Sequence, residues 1–146
     1  MPAYDEIPVQ AIKIREGDAP LLMARLLNSS GAYVTQAMLA GATITANVYD
    51  FRSATPRAAI FTATLTISQV IFDTPQLPVV PVGNDPIWRQ DETGYTFSWQ
   101  LPSAQTQLST PGNGHRRVEV ICAPASGQPF AIGAWDLTIA ELLSYG

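Results

Sequence analysis

Phe61-Thr62-Ala63-Thr64-Leu65-Thr66-Ile67 is the stretch whose reading decides the fold. Its apolar residues occupy every second position and threonine fills the positions between. That period of two, with β-branched residues on the polar side, describes a strand that buries one face and wets the other. Tyr95-Thr96-Phe97-Ser98-Trp99-Gln100-Leu101 repeats the alternation directly after Gly94, with three aromatic rings on one side. That side is expected to be core or interface.

Outward from these two strands, further short candidates lie at Ile12 to Arg15, Leu21 to Leu27, Thr43 to Asp50, Arg116 to Cys122 and Phe130 to Ile139, each bounded by Gly, Pro or Asn-Ser clusters. Twelve prolines and ten glycines spread along the chain leave few windows for a helix of several turns. Helix is expected only near Ser103 to Ser109 and at Ala140 to Leu143. Gly17-Asp18, Asn28 to Gly31 and Gly112 to Gly114 supply turns, and Ser126-Gly127 fits a hairpin joining the last two strands. The expected fold is all-β: an antiparallel β-sandwich of about seven strands.

The 146 residues suit a single domain, 1–146, with no repeat or internal boundary. Charged residues make up 14%, against about 25% in average soluble domains. Ser, Thr, Gln and Asn therefore cover much of the surface. With a net charge of -4 and Lys13 as its one lysine, the chain offers no positive field to a phosphate backbone, so nucleic acid is not an expected partner. The opening Met1-Pro2-Ala3-Tyr4-Asp5-Glu6 lacks the basic flank and apolar run of a secretory leader, which predicts synthesis and retention in a cytosol. Every hydrophobic run is broken well before the roughly 20 apolar residues of a membrane span. Asn28-Ser29-Ser30 matches a glycosylation sequon but reads as a turn.

The segment from Phe72 to Asp91 is different in kind. Pro75, Pro78, Pro81 and Pro86 are interleaved with Leu77, Val79, Val80, Val82, Ile87 and Trp88, giving an extended, apolar insertion poor in backbone donors. Two readings are open: it packs across a sheet edge, or it meets another protein. These ten residues form the candidate subunit interface.

Residue sets for catalysis are missing. Asp5-Glu6 and Asp91-Glu92 are adjacent pairs whose side chains point apart, whereas hydrolysis needs two carboxyls facing one cleft. Asn84, Asp85, Asp91 and Glu92 do not follow a calcium-loop spacing, and His115, the one histidine, cannot hold a zinc ion alone. No Gly-x-Ser-x-Gly elbow and no Gly-rich loop followed by lysine occurs. Cys122 shares a strand face with Val118 and Val120 and reads as a small buried hydrophobe. Trp99 and Trp135 alternate with core residues, leaving Trp88 as the one candidate ring for stacking on a sugar. Arg116-Arg117 reads as a solvated or salt-bridged pair without a role. No catalytic residue, metal or cofactor is expected, and the protein is expected not to be an enzyme.

Ile12-Lys13-Ile14-Arg15-Glu16-Gly17-Asp18-Ala19-Pro20, then Leu22 and Leu26, Asn28-Ser29-Ser30-Gly31 and Leu39-Ala40-Gly41-Ala42-Thr43-Ile44 resemble the opening of the baseplate upper protein N-terminal domain family of tailed bacteriophages. Gly94 to Trp99, Pro111-Gly112, Arg116 to Val120 and Ser126 to Phe130 are similar to that family's closing strands. The likeness spans about positions 10 to 139. It implies an immunoglobulin-like sandwich and a non-enzymatic virion subunit, made in the host cytoplasm, that binds other virion proteins at the tail, baseplate or fibre attachment. The insertion at 72–91 departs from the family pattern. Two alternatives remain beside this reading: a capsid decoration or cement protein bound to the major capsid protein, and a carbohydrate-binding module that uses Trp88 for host attachment. A homo-oligomer is open under each.

Overall fold

The computed structural model describes residues 9–50, 58–76, 94–108, 112 and 114–141. Among them run the strands β1 (Val9–Arg15), β2 (Leu21–Ala24), β3 (Thr43–Asp50), β4 (Ala59–Leu65), β5 (Ile71–Gln76), β6 (Tyr95–Gln100), β7 (Gly114–Ala123) and β8 (Phe130–Ala140). A single helical turn, α1 (Ile67–Val70), links β4 to β5, and 3-10 turns cover Ala37–Leu39 and Ser103–Thr106.

The strands form a five-stranded sheet in the order β1-β8-β7-β3-β4 and a three-stranded sheet in the order β2-β6-β5. All pairings are antiparallel except that of β1 with β8, which is parallel. The hairpins β3–β4 and β7–β8 thus share one sheet, while β2, β6 and β5 make the other. This is the strand order of an immunoglobulin-like sandwich of the variable type, with the first strand lying beside the last. The expected fold class is the observed one, with β5 as an additional strand and the β1–β8 pair as the departure from a wholly antiparallel plan.

β5 takes the first residues of the proline-rich segment, 72–76, out of the insertion and into the small sheet. Proline tolerates this place because the pairing with β6 jumps from Ile71↔Phe97 to Gln76↔Tyr95, so that 72–75 bulge out of the ladder. The expected strand from Leu21 to Leu27 ends at Ala24, although Leu27 still bridges Tyr33. Ala140 belongs to β8 rather than to a terminal helix.

The core follows the alternation. Ile44, Ala46 and Val48 of β3, Val118, Val120 and Cys122 of β7, and Trp135, Leu137 and Ile139 of β8 face Leu22, Ala24, Ile71 and Phe97 of the small sheet. On β8 the inward residues change parity, because Ile132 is buried as well as Trp135. A bulge resolves the conflict: Val120 pairs with Gly133 and Ile121 with Ala131, leaving Ile132 as the extra residue. Gly133 is small by necessity, since a Cβ there would lie 2.7 Å from the Trp135 ring. No disulfide joins the sheets; Cys122 is buried and free.

Candidate interaction surface

Of the ten candidate interface residues, the structure places Pro75, half-buried in the bulge of β5. Leu77, Pro78, Val79, Val80, Pro81, Val82, Pro86, Ile87 and Trp88 lie outside the described residues, as do Asn84, Asp85, Asp91 and Glu92.

The residues on either side of that segment, Gln76 and Gly94, are both in place. Gln76 is the register partner of Tyr95, so the chain leaves β5 and enters β6 at neighbouring points of one sheet end. Gly94 makes the approach sterically feasible: its φ is +94°, and a Cβ would sit 2.4 Å from the Gln76 carbonyl oxygen. The Arg25 Nε donates to the Gly94 carbonyl at 2.9 Å. Phe72 meets Tyr95 edge to face, with ring centroids 5.9 Å apart, and both pack with Met23 and Leu21 in a small second cluster. On the far side of β5, the Gln36 backbone N–H donates to Asp73 Oδ1 and its side-chain Nε2 donates to the Ile71 carbonyl, each at 2.8 Å. The excursion 77–93 therefore starts and ends on a clamped base.

The outward face of the large sheet combines small neutral residues with a group of charged ones. Thr43, Thr45 and Asn47 of β3, Thr62 and Thr64 of β4 and Thr138 of β8 share it. At its centre Arg117 of β7 stands opposite Asp136 of β8, and its guanidinium donates through Nε to Oδ1 and through Nη2 to Oδ2, the latter at 3.2 Å. Glu119 accepts from the same guanidinium at 3.5 Å. The hydrogen-bonded Asp136 carboxylate holds the Arg117 pKa above its ordinary value. Such a bidentate pair on a half-exposed face fixes side-chain geometry and leaves little charge for a ligand.

Of the two readings of the basic pair, solvated or salt-bridged, the structure shows the second, and for Arg116 in a buried setting. Arg116 is 4% exposed, on the inward side of β7 with Gly114, Val118 and Val120. Its Nη1 meets Asp50 Oδ1 at 3.1 Å and its Nη2 donates to the Gln107 carbonyl at 2.9 Å. Asp50 is its direct partner in the β3–β7 ladder. The signal was present in the sequence, since Arg116 has the same parity as Val118, Val120 and Cys122.

His115 is exposed on the opposite face of β7. Burial pushes the Cys122 thiol up from its ordinary value, the opposite of what a nucleophile requires. Among the described residues, no three of His, Cys, Asp and Glu gather closely enough to share a metal ion. No helix among them is long and apolar enough to cross a membrane.

The chain matches no family model, no curated protein and no solved structure.

Proposed function

We propose that the protein is a non-enzymatic structural subunit of a tailed-phage virion, which uses its sandwich as a scaffold to present the segment 77–93 to a neighbouring subunit at the tail, baseplate or fibre attachment. The observation that carries this reading is the clamped base at Gln76 and Gly94. A sequence rich in Pro, Val, Ile and Trp is anchored at both ends on one rim of a rigid sheet, and proline lowers the ordering cost of docking. Scarcity of charge supports the same reading, because the cores of protein interfaces are depleted in charged residues. The sequence resemblance supplies the virion context.

Replacing 77–93 by a short Gly-Ser turn from Gln76 to Gly94 tests the role of the segment. The variant is expected to fold with an unchanged circular dichroism spectrum and to be missing from assembled particles; normal incorporation would reduce the segment to a connection. Immunogold labelling of purified virions tests the location. Label at the tail end supports the proposal, label over the head replaces it with the cement role, and unlabelled particles overturn both.

A further inference from the structure

The small sheet is buried on its outer face as well as its inner one. On β2, Leu22 and Ala24 turn into the core, so Leu21 and Met23 turn outward, and Met23 pairs with Ser98 of β6. Thr96 shares the parity of Ser98, and Phe72 follows the core residue Ile71 on β5. A strand with one face in water alternates, as β4 does with its exposed Thr62 and Thr64. Here Met23 and Thr96 are 0% exposed, and Ser98 and Tyr95 are 9% exposed. The Leu26 N–H donates to Thr96 Oγ1 at 2.9 Å, which accounts for that hydroxyl but not for Met23 or Ser98. The burial is confined to one end: along β6, Tyr95 to Ser98 are buried, Trp99 is half-buried and Gln100 is exposed.

Among the described residues, the apolar side chains that gather with Met23 are Tyr95, Leu21 and Phe72, and Leu21 and Phe72 are themselves only half-buried. So small a group does not enclose a methionine, since a fully buried side chain touches about six or more residues. The rest of the enclosure must come from other parts of the same chain, and the topology narrows the choice. At the Gln100 end of the sandwich, the Ala19 carbonyl accepts from Gln100 Nε2, Glu16 accepts from the Leu108 N–H, and the Glu16 N–H donates to the Ala140 carbonyl. Arg116 joins Asp50 to the Gln107 carbonyl at that same end. The flanks of 51–57, of the connection from Leu108 to Gly114 and of 142–146 are therefore all remote from the buried patch. Two stretches remain. Residues 1–8 enter at Val9, on the outer strand of the large sheet, and carry Asp5 and Glu6. Residues 77–93 leave from Gln76 and return through Gly94, beside Tyr95 on the small sheet itself.

We infer that the outer face of the small sheet, at Leu21, Met23, Phe72, Tyr95 and Ser98, is the docking face of this chain's own segment 77–93. The segment has the composition for it: Leu77-Pro78-Val79-Val80-Pro81-Val82 continues from β5 without a charge. Proline suits a chain laid across a face, because an extended polyproline-type backbone needs no ladder partners and can contribute its side chains alone. Reach is sufficient, since eight residues of such a chain span about 25 Å. Tyr95 to Ser98 covers about 10 Å of strand, so the segment can cross the patch and return. An extended chain has a second side, and the side turned from the sheet remains available to a neighbouring subunit. The inference goes beyond the virion reading, and its test on the purified protein can fail while that reading stands.

Met23 reports on its own cover, and Met38, 58% exposed, is the reference within the same chain. Hydrogen peroxide transfers one oxygen to a thioether sulfur and leaves as water, at a rate governed by access to the sulfur. In the full wild-type chain, peptide mass spectrometry is expected to find Met23 oxidised at least about tenfold more slowly than Met38. Leu77→Ser, Val79→Ser, Val80→Ser, Val82→Ser, Ile87→Ser and Trp88→Ser together keep the length of the segment and remove its apolar side chains. This variant is expected to bring Met23 to within about threefold of Met38. Val79→Ser with Val80→Ser alone is expected to shift Met23 the same way by a smaller factor, which keeps the test decisive if the larger replacement unfolds. A chain lacking residues 2–8 is expected to keep Met23 protected. A circular dichroism melt of each variant sets the reaction below its unfolding transition, so that access is read from the folded protein. Equal rates at Met23 and Met38 in the wild type, or protection that persists in the serine variants, overturns the inference; protection lost with residues 2–8 overturns it by giving the face to the N-terminal stretch.

Discussion

The indole of Trp135 lies over the ring of Phe97 with centroids 5.9 Å apart and planes inclined by 28°, so one aromatic stack joins β8 of the large sheet to β6 of the small one. Both rings are fully buried, and Trp135 Nε1 donates to the Met23 carbonyl on the neighbouring β2. No disulfide joins the sheets, and this stack is one of the large buried contacts between them. Trp135→Ala is expected to cost about 3–5 kcal/mol, the range for emptying a large aromatic site. Trp135→Phe keeps a ring over Phe97 and is expected to cost about 1–2 kcal/mol less than Trp135→Ala. Urea unfolding followed by circular dichroism gives both values, and equal costs for the two variants would refute the role of the stack.

The Arg116–Asp50 pair is buried asymmetrically, with side chains 5% and 19% exposed. Removing Asp50 leaves the cation with the Gln107 carbonyl as its remaining acceptor and a buried Nε without one. Asp50→Ala is therefore expected to destabilise by about 3–5 kcal/mol, as for a broken buried pair. Arg116→Met is expected to cost less, because the carboxylate it leaves is nearer to water. Combining Arg116→Met with Asp50→Leu is expected to recover much of the loss, because no buried charge then remains. A double-mutant cycle by urea unfolding checks this, and strict additivity would sink it.

Cys122 sits at 0% exposure with its thiol pKa raised above the ordinary 9.0 by burial. The sign follows from which state ionises first. Below the ordinary value both states hold the proton and the stabilising contribution is complete; as pH rises past it, the unfolded chain releases its proton while the folded chain keeps it, and stability falls until the folded value is reached. Unfolding free energy is thus expected to decline from about pH 8 towards pH 10 more steeply in the wild type than in Cys122→Ala. Thiol labelling of the native protein by Ellman's reagent is expected to proceed only as fast as the protein opens. Rapid native labelling would contradict the burial argument.

The sandwich was legible in the sequence wherever one face of a strand is wet. The alternation over Phe61 to Leu65 and over Thr43 to Asp50 survives as β4 and β3, because their outward threonines meet solvent. β6 was legible for a different reason: its aromatic parity is strong, although Thr96 and Ser98 on the other face are buried too. β5 escaped because its proline argues against a ladder strand, and only the bulge against β6 accommodates it. The parity change on β8 escaped as well, since a bulge at Ile132 has no local signature beyond Gly133. For the interaction surface, the sequence identified the proline-rich composition but not that Gln76 and Gly94 close its base, a pairing between residues far apart along the chain.

Gly94 and Gly31 give the last prediction, since they share a backbone conformation and differ in surroundings. Both have positive φ, +94° and +84°. A Cβ at Gly31 would meet nothing within 4 Å, whereas at Gly94 it would lie 2.4 Å from the Gln76 carbonyl oxygen and 2.9 Å from its carbon. Gly31→Ala therefore carries only the strain of a left-handed residue, about 1 kcal/mol. Gly94→Ala adds a clash with backbone that no rotamer change relieves, so β5 and β6 must part where Gln76 pairs with Tyr95. Its cost is expected to exceed that of Gly31→Ala by about 1–3 kcal/mol, the range for a local backbone distortion. Hydrogen exchange localises the effect: faster exchange at Gln76 and Tyr95 in Gly94→Ala, with rates in β3 and β7 changed no more than global stability requires, is the expected pattern. Equal stability of the two alanine variants would mean that the base of the 77–93 excursion is not closed in solution, and the scaffold role assigned to it would fail with that result.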